Sequence, residues 1–159
     1  MTRAWISVGS NIEPERNVRE AVDALRREFG ELVISPVYRT RAEGFEGEDF
    51  LNLVVGIDTA LSPERVRERL RRIEDEQGRR RSTEKFAPRT LDLDLLTWGG
   101  LVDPDLGLPR DEILKYAFVL GPLADVAPDE TCPGTARTYA SLWQSMKEKG
   151  AVGMNRVEL

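Results

Sequence analysis

Apolar and polar positions change period several times along the chain, and each change marks an element. Ala4-Trp5-Ile6-Ser7-Val8 is a short apolar run that predicts a buried strand, closed by the turn-forming Gly9-Ser10-Asn11. Pro14, flanked by Glu13 and Glu15, opens a helix whose apolar stripe is Val18, Ala21, Val22, Leu25 and Phe29, and Gly30 stops it. A second strand is expected over 32–40 on Val33, Ile34, Val37 and Tyr38, irregular at Pro36, and a third over 50–57. Between them, 41–49 is a glycine-bearing acidic loop, either a plain hairpin connection or a lid over a substrate. Ser62-Pro63-Glu64 supplies an N-cap, a proline and an acidic first turn for a helix that Val66, Leu70 and Ile73 carry to about Gln77. A basic loop, Gly78-Arg79-Arg80-Arg81-Ser82-Thr83-Glu84-Lys85, then leads into strict alternation at Leu91-Asp92-Leu93-Asp94-Leu95, a fourth strand that runs to the Gly99-Gly100 turn. Five prolines break 101–137 into short pieces, with a small strand expected at 117–120. Tyr139, Leu142, Trp143 and Met146 form a closing helical stripe that reads as core packing. The tail, 147–159, is expected to be ordered by contact with the body or with a second chain.

The first six elements run strand, helix, strand, strand, helix, strand. That order predicts an α+β fold with a ferredoxin-like βαββαβ core, a C-terminal extra strand and helix, and one domain over 1–159. The expected sheet has its first and fourth strands side by side in the middle. The aspartate strand would then pack one face on helices and leave the other to be walled by the loops at 9–11, 41–49 and 78–85.

Composition narrows the chemistry. Charged residues make up 32% of the chain and hydrophobic ones 40%, an ordinary globular balance. A formal charge of −5 argues against a nucleic-acid coat, and the aromatic sheet motif of RNA-binding modules is missing. There is no histidine, which removes Ser-His-Asp and Cys-His catalysis and most catalytic zinc sites. Cys132 stands alone, so no intramolecular disulfide forms and a reducing compartment fits. No apolar run reaches the length of a membrane span and no signal peptide is seen, so the expected location is the cytoplasm, with no membrane partner.

What remains is carboxylate, lysine and arginine chemistry, and its centre is Asp92 with Asp94. On a strand the two share one face with Cα atoms roughly 6.5–7 Å apart, while Leu91, Leu93 and Leu95 share the other. At an effective dielectric of about 20 such charges repel by roughly 2–3 kcal/mol unless something positive offsets them. They either line the wet face of a half-exposed strand or hold a cation. Asp is disfavoured in strands, and Arg89 and the basic loop stand close by in sequence, which favours the cation. Mg²⁺ takes few protein ligands, prefers hard oxygens and shares its shell with water and substrate phosphates.

Gly9-Ser10-Asn11, Tyr38-Arg39-Thr40, Phe50-Leu51-Asn52, Arg72-Ile73-Glu74 and above all Lys85-Phe86-Ala87-Pro88-Arg89-Thr90-Leu91-Asp92-Leu93-Asp94-Leu95-Leu96 resemble the 6-hydroxymethyl-7,8-dihydropterin pyrophosphokinase family. The resemblance covers essentially the whole chain, in order. It implies a Mg-dependent pyrophosphokinase of folate biosynthesis that uses two Mg²⁺ ions and ATP as co-substrate and moves a diphosphate onto the pterin hydroxymethyl oxygen. It assigns Asp92 and Asp94 to the metals, and Thr40, Phe50, Asn52 and Phe118 to the pterin. Arg79 and Arg89 would serve the transfer, and Glu74, Arg81, Phe86 and Arg89 the nucleotide side. Small molecules are the implied partners, and the expected state is a monomer.

The chain departs from the family pattern at several places. Arg110 follows Pro109 where a histidine is usual, Tyr116 stands where a phosphate-binding arginine is common, and Asp105, Gly107 and Arg71 also differ. One reading is that Arg110 supplies the missing cation, since a guanidinium always carries charge. The other is a paralogue that binds a pterin-like heterocycle over a reworked nucleotide site, with weak, altered or absent transfer.

Overall fold

The computed structural model describes residues 1–40, 49–81, 91–150 and 153–159, the side chains of 79–81 excepted. Of the acidic loop expected over 41–49 only Asp49 is described, and of the basic loop expected over 78–85 only Gly78 and the backbone of 79–81; the rest lies outside the described residues. The elements are β1 (Thr2–Ser10), α1 (Pro14–Phe29), β2 (Val33–Ile34), β3 (Val37–Thr40), β4 (Phe50–Thr59), α2 (Pro63–Arg81), β5 (Asp92–Trp98), α3 (Glu112–Lys115), α4 (Ala117–Val126), α5 (Tyr139–Glu148) and β6 (Met154–Val157). The sheet order is β5-β1-β4-β3-β6, with β2 also paired to β4. All pairings are antiparallel.

This is the ferredoxin-like order with a strand added beyond it. One expectation is corrected: β5 does pair with β1, but it lies at the end of the sheet, and β1 and β4 occupy the middle. Four strands joined in this way leave the last one flanking the first. The aspartates therefore stand on an edge strand, open on one side.

The two faces of the sheet are buried differently. Ala4, Ile6 and Val8 of β1 and Leu93 and Leu95 of β5, with Leu91 just before it, pack on Val18, Ala21 and Leu25 of α1 and Val66, Leu70 and Ile73 of α2. On the opposite face Trp5, Val54 and Leu96 meet Ile113, Val119, Leu120, Leu123 and Tyr139. α1 forms as its pattern dictates, with Pro14 in the first turn and Gly30 at φ 85° ending it. α2 continues to Arg81, past the expected end near Gln77. Gln77 is buried, its side-chain amide donating to Asn17 O at 2.8 Å, which ties the last turns of α2 to the start of α1.

The single strand expected over 32–40 is two pieces. Ser35-Pro36 interrupts it because proline has no N–H for the ladder. Ser35 bridges the gap: its N–H donates to Val54 O at 3.0 Å and its hydroxyl accepts from Val54 N at 2.8 Å.

The strand expected at 117–120 is instead the first turn of α4. Ala117-Phe118-Val119-Leu120 is apolar in every position and so carries no period to separate strand from helix. The helix buries Val119 through Ala124, including Gly121 and Pro122. Gly121 permits this packing, since a Cβ there would stand 2.5 Å from Met154 Cε and 3.1 Å from the Trp143 ring. α5 forms as expected and is capped by Thr138, whose hydroxyl accepts from Ser141 N at 3.1 Å.

The tail docks on the body. β6 lies on the outer edge of β3, Met154 opposite Thr40 and Arg156 opposite Tyr38. Tyr38 donates its hydroxyl proton to Asp125 of α4, and Arg156 Nη2 donates to the Tyr38 oxygen at 3.1 Å. Burial first, and the Asp125 hydrogen bond second, push the Tyr38 phenol above its ordinary value of 10.0, with Arg156 opposing them. A folded value above the unfolded one means that the contribution of this group is complete below pH 10 and is lost as pH rises through the folded value. At pH 8 the wild type should exceed Tyr38→Phe in denaturant-unfolding stability by about 1 kcal/mol, the worth of one buried hydrogen bond. The gap should narrow as pH rises above 10, and a gap independent of pH would contradict the assignment. Among the described residues, no helix is long and apolar enough to cross a membrane.

Candidate active site

Cross-strand register assembles the site. Gly9 of β1 lies opposite Asp92 on one side and Asn52 on the other, and Asn52 lies opposite Tyr38. Ser7 lies opposite Asp94, and Thr40 opposite Phe50. Residues directly opposite share a face, as do residues two apart on one strand. Asp92, Asp94, Gly9, Asn52, Thr40 and Phe50 therefore all belong to the face away from α1 and α2. With strands about 4.8 Å apart, Asp92 and Asn52 stand roughly 10 Å apart across Gly9.

That face floors a cleft of about 1070 Å³, walled by Arg110, α3, the start of α4 and the end of α5. Its lining includes Thr40, Phe50, Asn52, Asp92, Asp94, Arg110 and Phe118. Seven side chains expected at the site thus meet in one cavity, although they come from five separate stretches of sequence. Phe50 enters from the sheet and Phe118 from α4, so a flat ring could lie between elements of opposite origin.

Asn52 is held ready. It is nearly buried, and its Nδ2 donates to Thr40 Oγ1 at 3.2 Å. Gly9 sets its position from the other side, since a Cβ there would stand 2.8 Å from Asn52 Oδ1. Gly9→Ala must displace the Asn52 amide. We expect a rise of about tenfold in KM for a heterocycle held by Asn52, the effect of one misplaced hydrogen bond, with kcat little changed. Steady-state kinetics with the heterocycle varied checks this, and an unchanged KM would contradict it.

Asp92 is exposed and Asp94 half-exposed, while Leu91, Leu93 and Leu95 are buried on the other face, as the alternation predicts. Among the described residues no group of three or more Asp, Glu, His or Cys side chains gathers to hold a metal. Two carboxylates in a cleft fit a hard divalent ion that draws its other ligands from water and substrate phosphate.

Arg110 lies at the aspartate end. Its Nε and Nη2 donate to Glu112 Oε2 at 3.0 Å and Oε1 at 2.8 Å, and Nη1 lies 3.8 Å from Asp94 Oδ1. Burial would lower the guanidinium's pKa, but the Glu112 hydrogen bonds and the charges of Asp94, Glu112 and Asp111 together hold it above its ordinary value. The same hydrogen bonds hold the Glu112 carboxyl below the usual range.

Of the other expected residues, Glu74 is the one whose side chain is described, and it falls elsewhere. Glu74 does not line the cleft: its Oε2 accepts from the Leu93 backbone N–H at 2.9 Å, along the edge of β5 that faces away from β1. Arg79 and Arg81 belong to the last turn of α2, their side chains outside the described residues, as are Phe86 and Arg89. Three features escaped the sequence reading. Glu112 joins the site through Arg110, Tyr116 stacks on Phe118 with ring centroids 5.0 Å apart and planes at 15°, and Lys115 and Lys149 add positive charge to the lining. Tyr116, placed where the resemblance leads to an arginine, thus extends an aromatic wall. Only a glutamate two residues after Arg110 and an aromatic pair at 116 and 118 were visible as signals.

Known proteins share this arrangement of chain. The model of the 7,8-dihydro-6-hydroxymethylpterin-pyrophosphokinase (HPPK) family matches residues 5–128. A 2-amino-4-hydroxy-6-hydroxymethyldihydropteridine pyrophosphokinase of Pseudomonas aeruginosa is 41% identical over 137 residues, which are 82% of this chain and 84% of the relative. The protein of the same name in Methylorubrum extorquens is 36% identical over 164 aligned residues, covering 99% of this chain and 100% of the relative. A crystal structure of Plasmodium falciparum HPPK-DHPS is similar in fold, with a TM-score of 0.77 at 12% identity, covering 100% of this chain and 48% of that one. This chain thus spans about half the length of that solved chain.

Proposed function

This chain belongs to the 7,8-dihydro-6-hydroxymethylpterin-pyrophosphokinase family, and from that premise we propose that it transfers diphosphate from ATP to the hydroxymethyl group of 6-hydroxymethyl-7,8-dihydropterin in folate biosynthesis. The observation that carries the reading is the single cleft that joins Asp92 and Asp94 to Thr40, Phe50, Asn52 and Phe118. A pyrophosphokinase must hold a flat heterocycle and a polyphosphate end to end. The aromatic and amide groups stand at one side of this cleft and the carboxylates and Arg110 at the other.

In the proposed mechanism Phe50 and Phe118 stack on the faces of the pterin, while Asn52 and Thr40 hydrogen-bond its polar edge. This fixes the hydroxymethyl oxygen towards Asp92 and Asp94. These two carboxylates would hold Mg²⁺, two ions in our reading, which supply positive charge to the triphosphate and the substrate hydroxyl. The hydroxymethyl oxygen attacks the β-phosphorus of ATP, the bond from that phosphorus to the α,β-bridging oxygen breaks, AMP leaves, and the hydroxyl proton passes to solvent. No covalent enzyme intermediate is needed, so the protein contributes position and charge. Arg110 offers Nη1 to a phosphate oxygen, and Arg79, Arg81 and Arg89 add charge from the basic segment, with Phe86 and Glu74 on the nucleotide side. No observation favours a binding-only paralogue.

We read the protein as a monomer of one domain. Its lone, buried cysteine suits a reducing cytoplasm. The test is AMP release from ATP and Mg²⁺ with and without the pterin. Release that depends on the pterin is expected, and pterin binding without AMP would overturn the reading.

A further inference from the structure

Arg110 stands beside the aspartate pair and meets it only in a loose ion pair, Nη1 to Asp94 Oδ1, with no hydrogen bond. Its backbone N–H donates to Leu96 O at 3.0 Å, which fixes its main chain alongside the strand that carries Asp94. An arginine anchored there, next to two carboxylates on one strand face, has every electrostatic reason to close a bidentate pair on one of them. A side chain that never loses its charge would then occupy the oxygens a divalent cation needs. That does not happen here. The Nε and Nη2 edge of the guanidinium is taken by both oxygens of Glu112, and the remaining nitrogen stops 3.8 Å from Asp94 Oδ1, beyond hydrogen-bonding distance. Glu112 itself begins α3, so the partner of Arg110 is set by a helix and not by a free loop.

We propose that Glu112 is a positioning residue that keeps Arg110 from closing a hydrogen-bonded pair on Asp94, leaving the Asp94 oxygens to a divalent cation and turning Nη1 towards the space where a phosphate would lie. The inference rests on the reading of Asp92 and Asp94 as cation ligands. It also explains how a chain with an arginine at 110 keeps both functions close together.

Removing Glu112 also removes a negative charge from the cleft, and that alone would weaken cation binding. The two causes separate in a double-mutant cycle. Mn²⁺ binding to the nucleotide-free full chain is read by electron paramagnetic resonance for wild type, Glu112→Ala, Arg110→Gln and the double variant. If Glu112 positions Arg110, Glu112→Ala weakens Mn²⁺ binding by about fivefold when Arg110 is present, the size of one partly exposed ion pair, and by less than about twofold when residue 110 is glutamine. Glu112→Gln, which keeps the side-chain shape, should behave as Glu112→Ala does. The same loss in both backgrounds, or no loss in either, overturns the proposal while leaving the cation reading intact. Asp94→Asn is the separate control and should abolish binding. Mn²⁺ bound equally by Asp94→Asn and wild type would overturn the cation reading and the role of Glu112 with it.

Discussion

Asp94→Ala should abolish diphosphate transfer, lowering kcat by at least about 10³-fold, because it removes one of the two carboxylates that we propose hold Mg²⁺ at the reacting phosphate. The fold should be unaffected. Asp94 is half-exposed on the cleft face, and the burial of β5 is carried by Leu93 and Leu95, with Leu91 beside them, on the opposite face. Removing Asp94 relieves repulsion from Asp92 and gives up the loose, partly exposed ion pair with Arg110, so the thermal midpoint should change little. Single-turnover kinetics with saturating ATP and pterin, alongside a thermal melt, checks both halves. Wild-type turnover in a folded Asp94→Ala protein would show that the aspartates do not serve the chemistry.

Asn52→Ala should strike binding of the pterin and spare the nucleotide. The amide is nearly buried, braced by Thr40 on one side and limited by Gly9 on the other, so its direction is set before the ligand arrives. Truncation leaves both Thr40 and the pterin edge short of a partner. We expect KM for the pterin to rise by about 10- to 100-fold, the usual cost of an unsatisfied buried polar group, while KM for ATP changes little. Varying each substrate in turn separates the two. Equal rises in both constants would place Asn52 in general folding of the cleft and not in pterin recognition.

Much of this site was legible because β5 advertises itself. Alternation of leucine and aspartate admits one face assignment, and burial follows it at every position from 91 to 95. The ferredoxin-like order was equally readable from the succession of elements, but the position of a strand within its sheet is a tertiary property, and β5 at the edge was misjudged as central. The consequence is chemical. An edge strand has one row of backbone groups unpaired, and the Glu74 carboxylate accepts from the Leu93 N–H in that row. The sequence pointed to Glu74 and offered no sign of this bond.

Phe118 shows the opposite case. Its role on the cleft wall was expected, its secondary structure was not, because an unbroken apolar run fits a buried helix as well as a strand. The helix is what the packing prefers, since α4 must fill the space between the sheet and α5. Glu112 was invisible for a different reason. Its significance lies in a pair of hydrogen bonds to a residue two positions earlier, a geometry that no periodicity reports. Tyr116 was visible only as a departure. The structure turns it into a stacking partner of Phe118, which adds aromatic surface at a place where positive charge was expected.

Transfer of an intact diphosphate is read without ambiguity by ³¹P NMR of the products formed from ATP, Mg²⁺ and 6-hydroxymethyl-7,8-dihydropterin. AMP and a pterin diphosphate are expected in equal amounts, with neither formed when the pterin is left out. ADP with a pterin monophosphate, or AMP and free pyrophosphate with the pterin unchanged, would contradict it.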